Sequence, residues 1–227
     1  METSLHRELK ALYARGDARC EVPLDGFRID AVSAGCLVEI QHGSLAAIRD
    51  KVWALLEGHA VIVVKPIVVS KQLVKLAGKG GPVVSRRMSP KRGSILDLFD
   101  ELVHFTQVFP HKRLTLEVPL VDVEEWRYPG HGRRRRWRLD DYEVEDQKLM
   151  AVRATHCFRK AADLIQLIDC PLPQPFDTAH LAESLRVDRW TAQRIAYCLR
   201  QTGAVREAGK QGNARLYQMI PPRKAAG

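Results

Sequence analysis

Residues 27–41 read FRIDAVSAGCLVEIQ, and the reading of this stretch decides the fold. Phe27, Ile29 and Ala31 alternate with Arg28, Asp30 and Val32, the period-two pattern of a strand. Ser33-Ala34-Gly35 breaks the pattern as a turn, and Cys36 to Gln41 resumes it as a further strand. On that strand Leu37, Glu39 and Gln41 share one face, with Val38 and Ile40 on the other. Asp30 and Glu39 therefore lie on consecutive strands, where pairing lets them converge. Glu39 is the more telling acid, because it sits between Val38 and Ile40 on an otherwise apolar strand. Burying a polar group without a partner costs on the order of 2–7 kcal/mol, and a charge costs more, which favours a role over decoration.

Upstream, Leu5, Leu9 and Leu12 make one stripe of a helix over residues 5–13, with Glu8 beside the stripe and Gly16-Asp17 ending it. A strand around residues 20–24 then meets Asp25-Gly26, a two-residue hairpin signal, so residues 20–41 predict three strands. Downstream, Ser44 is placed to cap a helix reaching about Glu57, with Leu45, Ile48, Val52, Leu55 and Leu56 inward and Gly58 as its stop. The β-branched run Ala60 to Val64 predicts a central strand covered on both faces.

Glu8, Asp30 and Glu39-Ile40-Gln41, in this helix–three strands–helix–strand frame, resemble the PD-(D/E)XK nuclease superfamily over about the first 70 residues. The resemblance implies Asp30 and Glu39 as ligands of Mg²⁺ or Mn²⁺ and Glu8 as an auxiliary acid. Gln41 stands where that family places a lysine. Glutamine can orient a water but supplies no positive charge, so Lys51 or Lys65 is the candidate to stand in. Carried over, the catalytic set is Glu8, Asp30, Glu39, Gln41, Lys51 and Lys65.

From Lys65 to Arg92 there is no acid, while Arg86, Arg87, Lys91 and Arg92 close a run of eight cations. Gly78, Gly80, Gly81 and Pro82 predict a flexible loop in its middle. A helix is predicted over residues 94–109, a strand over 114–126, and a partner strand beginning at the arginine run 133–136. Alternation on a strand would turn Arg133 and Arg135 toward one ligand, while Trp126 and Trp137 pack the hairpin. A helix is predicted over 152–168, and Pro171, Pro173 and Pro175 then make a stiff linker.

The segment 176–220 resembles winged helix-turn-helix domains, through Leu181-Ala182, Ala192, Ile195, Leu199, Gly203-Ala204-Val205 and Tyr217. The resemblance places Arg189, Thr191, Gln193 and Arg194 on a recognition helix and Lys210 and Arg215 on the wing. Arginine and glutamine can form bidentate contacts with bases, while lysine and hydroxyl groups mostly hold phosphates.

The fold class expected is α/β: a restriction-endonuclease-like core (1–75), an α+β middle segment with a basic loop and hairpin (76–150), and a winged helix (151–227). A net charge of +9 over 227 residues favours a polyanionic partner. The five cysteines are dispersed without a CxxC pair, which argues for buried free thiols over a zinc site. His156 and Cys157 are adjacent, and adjacent residues on a helix diverge, so they make a poor nucleophile–base pair. No apolar run is long enough for a membrane-spanning helix, and the expected location is the cytoplasm. The expected activity is metal-dependent hydrolysis of DNA, with RNA not excluded and homodimerisation left open. The alternative is a catalytically inactive nuclease-fold protein that binds DNA as a regulator or assembly subunit.

Overall fold

The computed structural model describes residues 3–14, 18–130 and 141–220. Helix α1 (Ser4–Tyr13) is followed by strands β1 (Arg19–Leu24), β2 (Phe27–Ser33) and β3 (Cys36–Ile40). Thr3 caps α1 by accepting from the His6 N–H. Both turns between these strands are closed by a residue pair at positive φ, Asp25-Gly26 and Ala34-Gly35. Such turns match the right-handed twist of antiparallel strands and fix the register Leu24 with Phe27 and Ser33 with Cys36. Ser44 accepts from the Ala46 N–H and opens a short 3₁₀ turn leading into α2 (Arg49–Leu55). Strand β4 (Val61–Val64) follows, so the order helix–three strands–helix–strand is observed.

The loop expected in the middle of the basic stretch is present at residues 77–82, and the residues on either side of it form an antiparallel hairpin, β5 (Ile67–Leu76) and β6 (Val83–Met88). Strand β5 also pairs in parallel with β7 (Leu114–Pro129). The helix expected over 94–109 is only α3 (Leu98–Leu102), preceded by a 3₁₀ turn at Ile95–Asp97. A further correction concerns residues 152–168. Strand β8 (Tyr142–Phe158) continues to Phe158, and only α4 (Ala161–Ile165) is helical. β8 pairs with β7, and that ladder overrides the local sequence preference. The partner strand is described from Tyr142, and Arg133, Arg135 and Trp137 lie outside the described residues.

The strand order of the eight-stranded mixed sheet is β1-β2-β3-β4-β7-β5-β6, with β8 paired to β7. The chain then forms α5 (Thr178–Leu185), α6 (Arg189–Gln201) and the hairpin β9 (Val205–Gln211)–β10 (Ala214–Met219).

Two compact units emerge. One comprises Met1–His42, Val64–Ser94 and Val118–His156. Within it α1 packs on β2 and β3, burying Leu5 and Leu9 but leaving Leu12 36% exposed. The other comprises Gly43–Val63, Ile95–Glu117 and Cys157–Gly227. Its core contains Phe99, Phe105, Phe109 and Phe176, all fully buried. The helices after the prolines share that core: α6 packs on α3, and the Cys198 thiol donates to the Phe99 carbonyl at 3.6 Å. All five cysteines are free, but only Cys198 is buried; Cys20 and Cys157 are exposed. Burial, with Asp100 nearby, pushes the Cys198 thiol up to about 12, so it remains protonated. Among the described residues no helix is long and apolar enough to cross a membrane.

Candidate functional site

The first unit carries an open cleft of about 400 Å³ lined by Thr3, His6, Lys10, Glu21, Arg28, Asp30 and His42. The i, i+4 spacing of His6 and Lys10 on α1 brings both side chains over the sheet, where Asp30 rises from β2. His6 Nε2 lies 3.4 Å and Lys10 Nζ 3.8 Å from Asp30 Oδ1. Asp30 Oδ2 accepts the Ile40 N–H at 2.8 Å, so the carboxylate sits over the peptide joining Glu39 to Ile40. Lys10 and Arg28 both pair with Glu21. Burial raises the Asp30 carboxyl, but His6, the Ile40 N–H and Lys10 outweigh it and hold the group below its ordinary value. Burial lowers His42, and Lys65, Lys71 and His6 lower it further, leaving a neutral imidazole at neutral pH.

The sign of the Asp30 shift fixes a stability prediction. A carboxyl depressed in the folded state contributes stability above its unfolded value, near 3.9, and loses it as pH falls through the lower folded value. Asp30→Asn should therefore cost about 1.5–3 kcal/mol at pH 7, the range for hydrogen bonds to a charged group. The difference from wild type should shrink toward pH 3, as urea midpoints across that range would show. A pH-independent difference would rule out the charge as its origin.

The other sequence-derived residues are dispersed. Glu8 Oε2 accepts the Leu149 N–H at 2.6 Å and fastens α1 to β8. Glu39 is 4% exposed on β3, and it is not among the residues lining the cleft. Gln41 follows β3, and its N–H bonds the Val64 carbonyl. Buried Lys65 donates to the His42 carbonyl at 3.1 Å. Lys51 lies on α2, in the second unit. Sequence reasoning missed His6, Lys10 and His42, whose one available signal was the His6–Lys10 spacing beside the Leu5–Leu9 stripe.

The metal that the resemblance implies needs Asp30 and Glu39 to present oxygens to one point. The residues present do not fit that demand. Asp30 turns one oxygen to a backbone N–H and the other to His6 and Lys10, and Glu39 does not line the cleft. Among the described residues no group of three or more His, Cys, Asp or Glu is placed to share an ion.

The basic residues divide into engaged and available ones. Arg86 pairs with Glu124 and lies 5.5 Å over Trp126, whose other contacts are Lys148 at 4.0 Å and Glu124; Trp126 is built into the sheet surface. Arg92 donates to Ser70 Oγ, Arg194 pairs with Asp100, and Arg215 pairs with Glu207. Thr191 is spent on the Asp188 cap of α6. Arg87, Lys91, Arg189, Gln193 and Lys210 are exposed. Helix α6 buries Ala192, Ile195, Ala196 and Leu199 and leaves Arg189, Trp190, Gln193 and Tyr197 outward, Trp190 at 63% exposure.

Residues 3–159 match the family described as Domain of unknown function (DUF8091). The chain belongs to that family. The DUF8091 match ends just after β8, so it takes in the Asp30 cleft and stops before α4, α5 and α6. An uncharacterized protein of Treponema pallidum (strain Nichols) is 30% identical over 226 residues, covering 97% of this chain and 86% of the relative. That alignment extends beyond the DUF8091 segment into the C-terminal helices. No solved structure matches.

Proposed function

We propose that this DUF8091 protein binds duplex DNA through α6 and the β9–β10 hairpin, used as the recognition helix and wing of a winged helix-turn-helix. The observation that carries the reading is the two-sided character of α6. One side is locked into the core, while the other leaves Arg189, Trp190, Gln193 and Tyr197 exposed, with the Arg194 guanidinium 5.0 Å over the Trp190 ring. A helix held by its core on one side and exposed on the other is what major-groove reading requires. Asp188 caps its N-terminus, so the residues that would meet base edges stand on an ordered first turn. The exposed Lys210 of the wing and the net charge of +9 supply phosphate attraction.

Fluorescence polarisation of a labelled duplex against the full chain across a salt series tests this. Affinity should fall roughly 10³–10⁵-fold between 50 and 200 mM salt if 6–10 phosphates are contacted. Absence of duplex binding at low salt would leave α6 as a protein-contact surface instead.

A second reading, phosphodiester hydrolysis in DNA or RNA at the Asp30 cleft, has one observation in its favour. The cleft is open and sets Asp30 among His6, Lys10 and Arg28, a charge arrangement that can receive a phosphate. Incubating labelled linear, circular and single-stranded substrates with and without Mn²⁺ separates the two readings. The binding reading expects intact substrate. Cleavage that Asp30→Asn abolishes, with DNA affinity retained, would put the hydrolytic reading in its place.

A further inference from the structure

The first unit holds a second cavity, of about 340 Å³, where β5, β6, the end of β7 and the start of β8 meet. Strand register explains its lining. Ser85 pairs with Lys75, and Lys75 pairs in turn with Arg127, so the three form one row across adjacent strands on one face. Arg87 pairs with Leu73 one step along the same face. Neighbouring strands lie about 4.8 Å apart, and Lys75, Arg87 and Arg127 all line this one cavity. Among the described residues Asp141 is the one acid lining the cavity.

The cations are not equivalent. Arg127 is fixed by its ion pair with Glu125 and lies 3.8 Å over the Tyr142 ring. Lys75 and Arg87 are exposed, and among the described residues neither is ion-paired. Tyr128 and Tyr142 supply aromatic wall, with the Tyr128 hydroxyl donating to Glu143 at 2.6 Å. Two uncommitted cations beside a prepositioned arginine suit phosphate oxygens, and tyrosine rings suit a flat base. A duplex is too wide for the cavity; one nucleotide is not.

We propose that this cavity binds a single nucleotide of an unpaired nucleic-acid strand, its phosphate on Lys75, Arg87 and Arg127 and its base against Tyr128 and Tyr142. The proposal rests on nucleic acid being the partner, but it uses no residue of α6.

The test is polarisation of a labelled short single-stranded oligonucleotide with the full chain at fixed low salt. Lys75→Ala/Arg87→Ala should weaken binding about tenfold or more, the loss expected from removing charged hydrogen bonds to a phosphate. Both residues are exposed, so the melting temperature should stay at the wild-type value. Tyr142→Leu should weaken binding about fivefold or more, the lower end for a lost base–aromatic contact, and Tyr142→Phe should restore it. Unchanged single-strand affinity in the Lys75/Arg87 variant overturns the proposal, whatever the α6 variants do. If inorganic phosphate displaces the probe as well as a mononucleotide does, the cavity takes free phosphate and the nucleotide assignment falls. Single-strand binding that survives Arg189→Ala/Gln193→Ala while duplex binding is lost supports two separate sites.

Discussion

Replacing Glu125 with alanine is expected to destabilise the protein by about 3–5 kcal/mol, the range for removing one partner of a buried ion pair. Glu125 is 3% exposed on β7, yet it serves three groups. Lys71 of β5 and Arg127 of β7 pair with its two oxygens, and Gln147 Nε2 donates to Oε2 at 2.8 Å. Burial raises the carboxyl, while Lys71, Gln147 and Arg127 together pull it below its ordinary value. Alanine would leave two cations facing each other with their common counter-charge removed. Because the folded-state value is depressed, the contribution is present above the ordinary carboxylate range and is lost as pH falls through that folded value. Urea denaturation of wild type and Glu125→Ala at pH 7 checks the magnitude, and a midpoint near wild type would show that the network does not hold β5 to β7. Arg127 also covers Tyr142, so the loss should reach the cavity mouth.

This network is the kind of feature the sequence conceals. Lys71 and Glu125 are far apart in the chain and meet only because β5 and β7 pair in parallel, a non-local event. The same cause hid the β5–β6 pairing. Gly78 to Pro82 marked the loop, but every residue of β6 is exposed, so no buried alternation marks that strand. β8 misled in the opposite direction, because Val144, Met150 and Val152 are exposed apolar residues on a strand defined by its neighbour.

What was legible was local. The Asp25-Gly26 and Ala34-Gly35 turns set the register of β1 to β3, and the alternation around Asp30 placed that acid correctly on β2. Its surroundings were not legible. His6 and Lys10 reach Asp30 only once α1 docks by Leu5 and Leu9, so the acid read as a metal ligand is held here by His6, Lys10 and a backbone N–H. The helices α5 and α6 were legible through the apolar spacing of Leu181, Ala192, Ile195 and Leu199, all buried, while the Asp177 and Asp188 caps went unread.

Duplex binding should fall about 30-fold or more in the double variant Arg189→Ala/Gln193→Ala, since each good bidentate contact to a base is worth about 1–3 kcal/mol. The choice of these two residues follows from what each α6 side chain is already doing. Thr191 closes the cap with Asp188, and Arg194 is ion-paired with Asp100 of the α3 helix, so substituting either would disturb the second unit as well as any DNA contact. Arg189 and Gln193 are exposed, four residues apart, and therefore on one side of the helix. Their truncation leaves Ala192, Ile195, Ala196 and Leu199 in the core and the Asp188 cap in place. The variant should melt with wild type, so a loss of affinity reports on contact rather than folding. Its salt slope should change by only about one phosphate's worth, because only one cation is removed. Lys210→Ala, by contrast, should weaken all duplexes uniformly and lower the slope by a similar amount without changing preference among sequences. If the double variant binds a panel of duplexes as tightly as wild type, α6 is not the element that reads DNA.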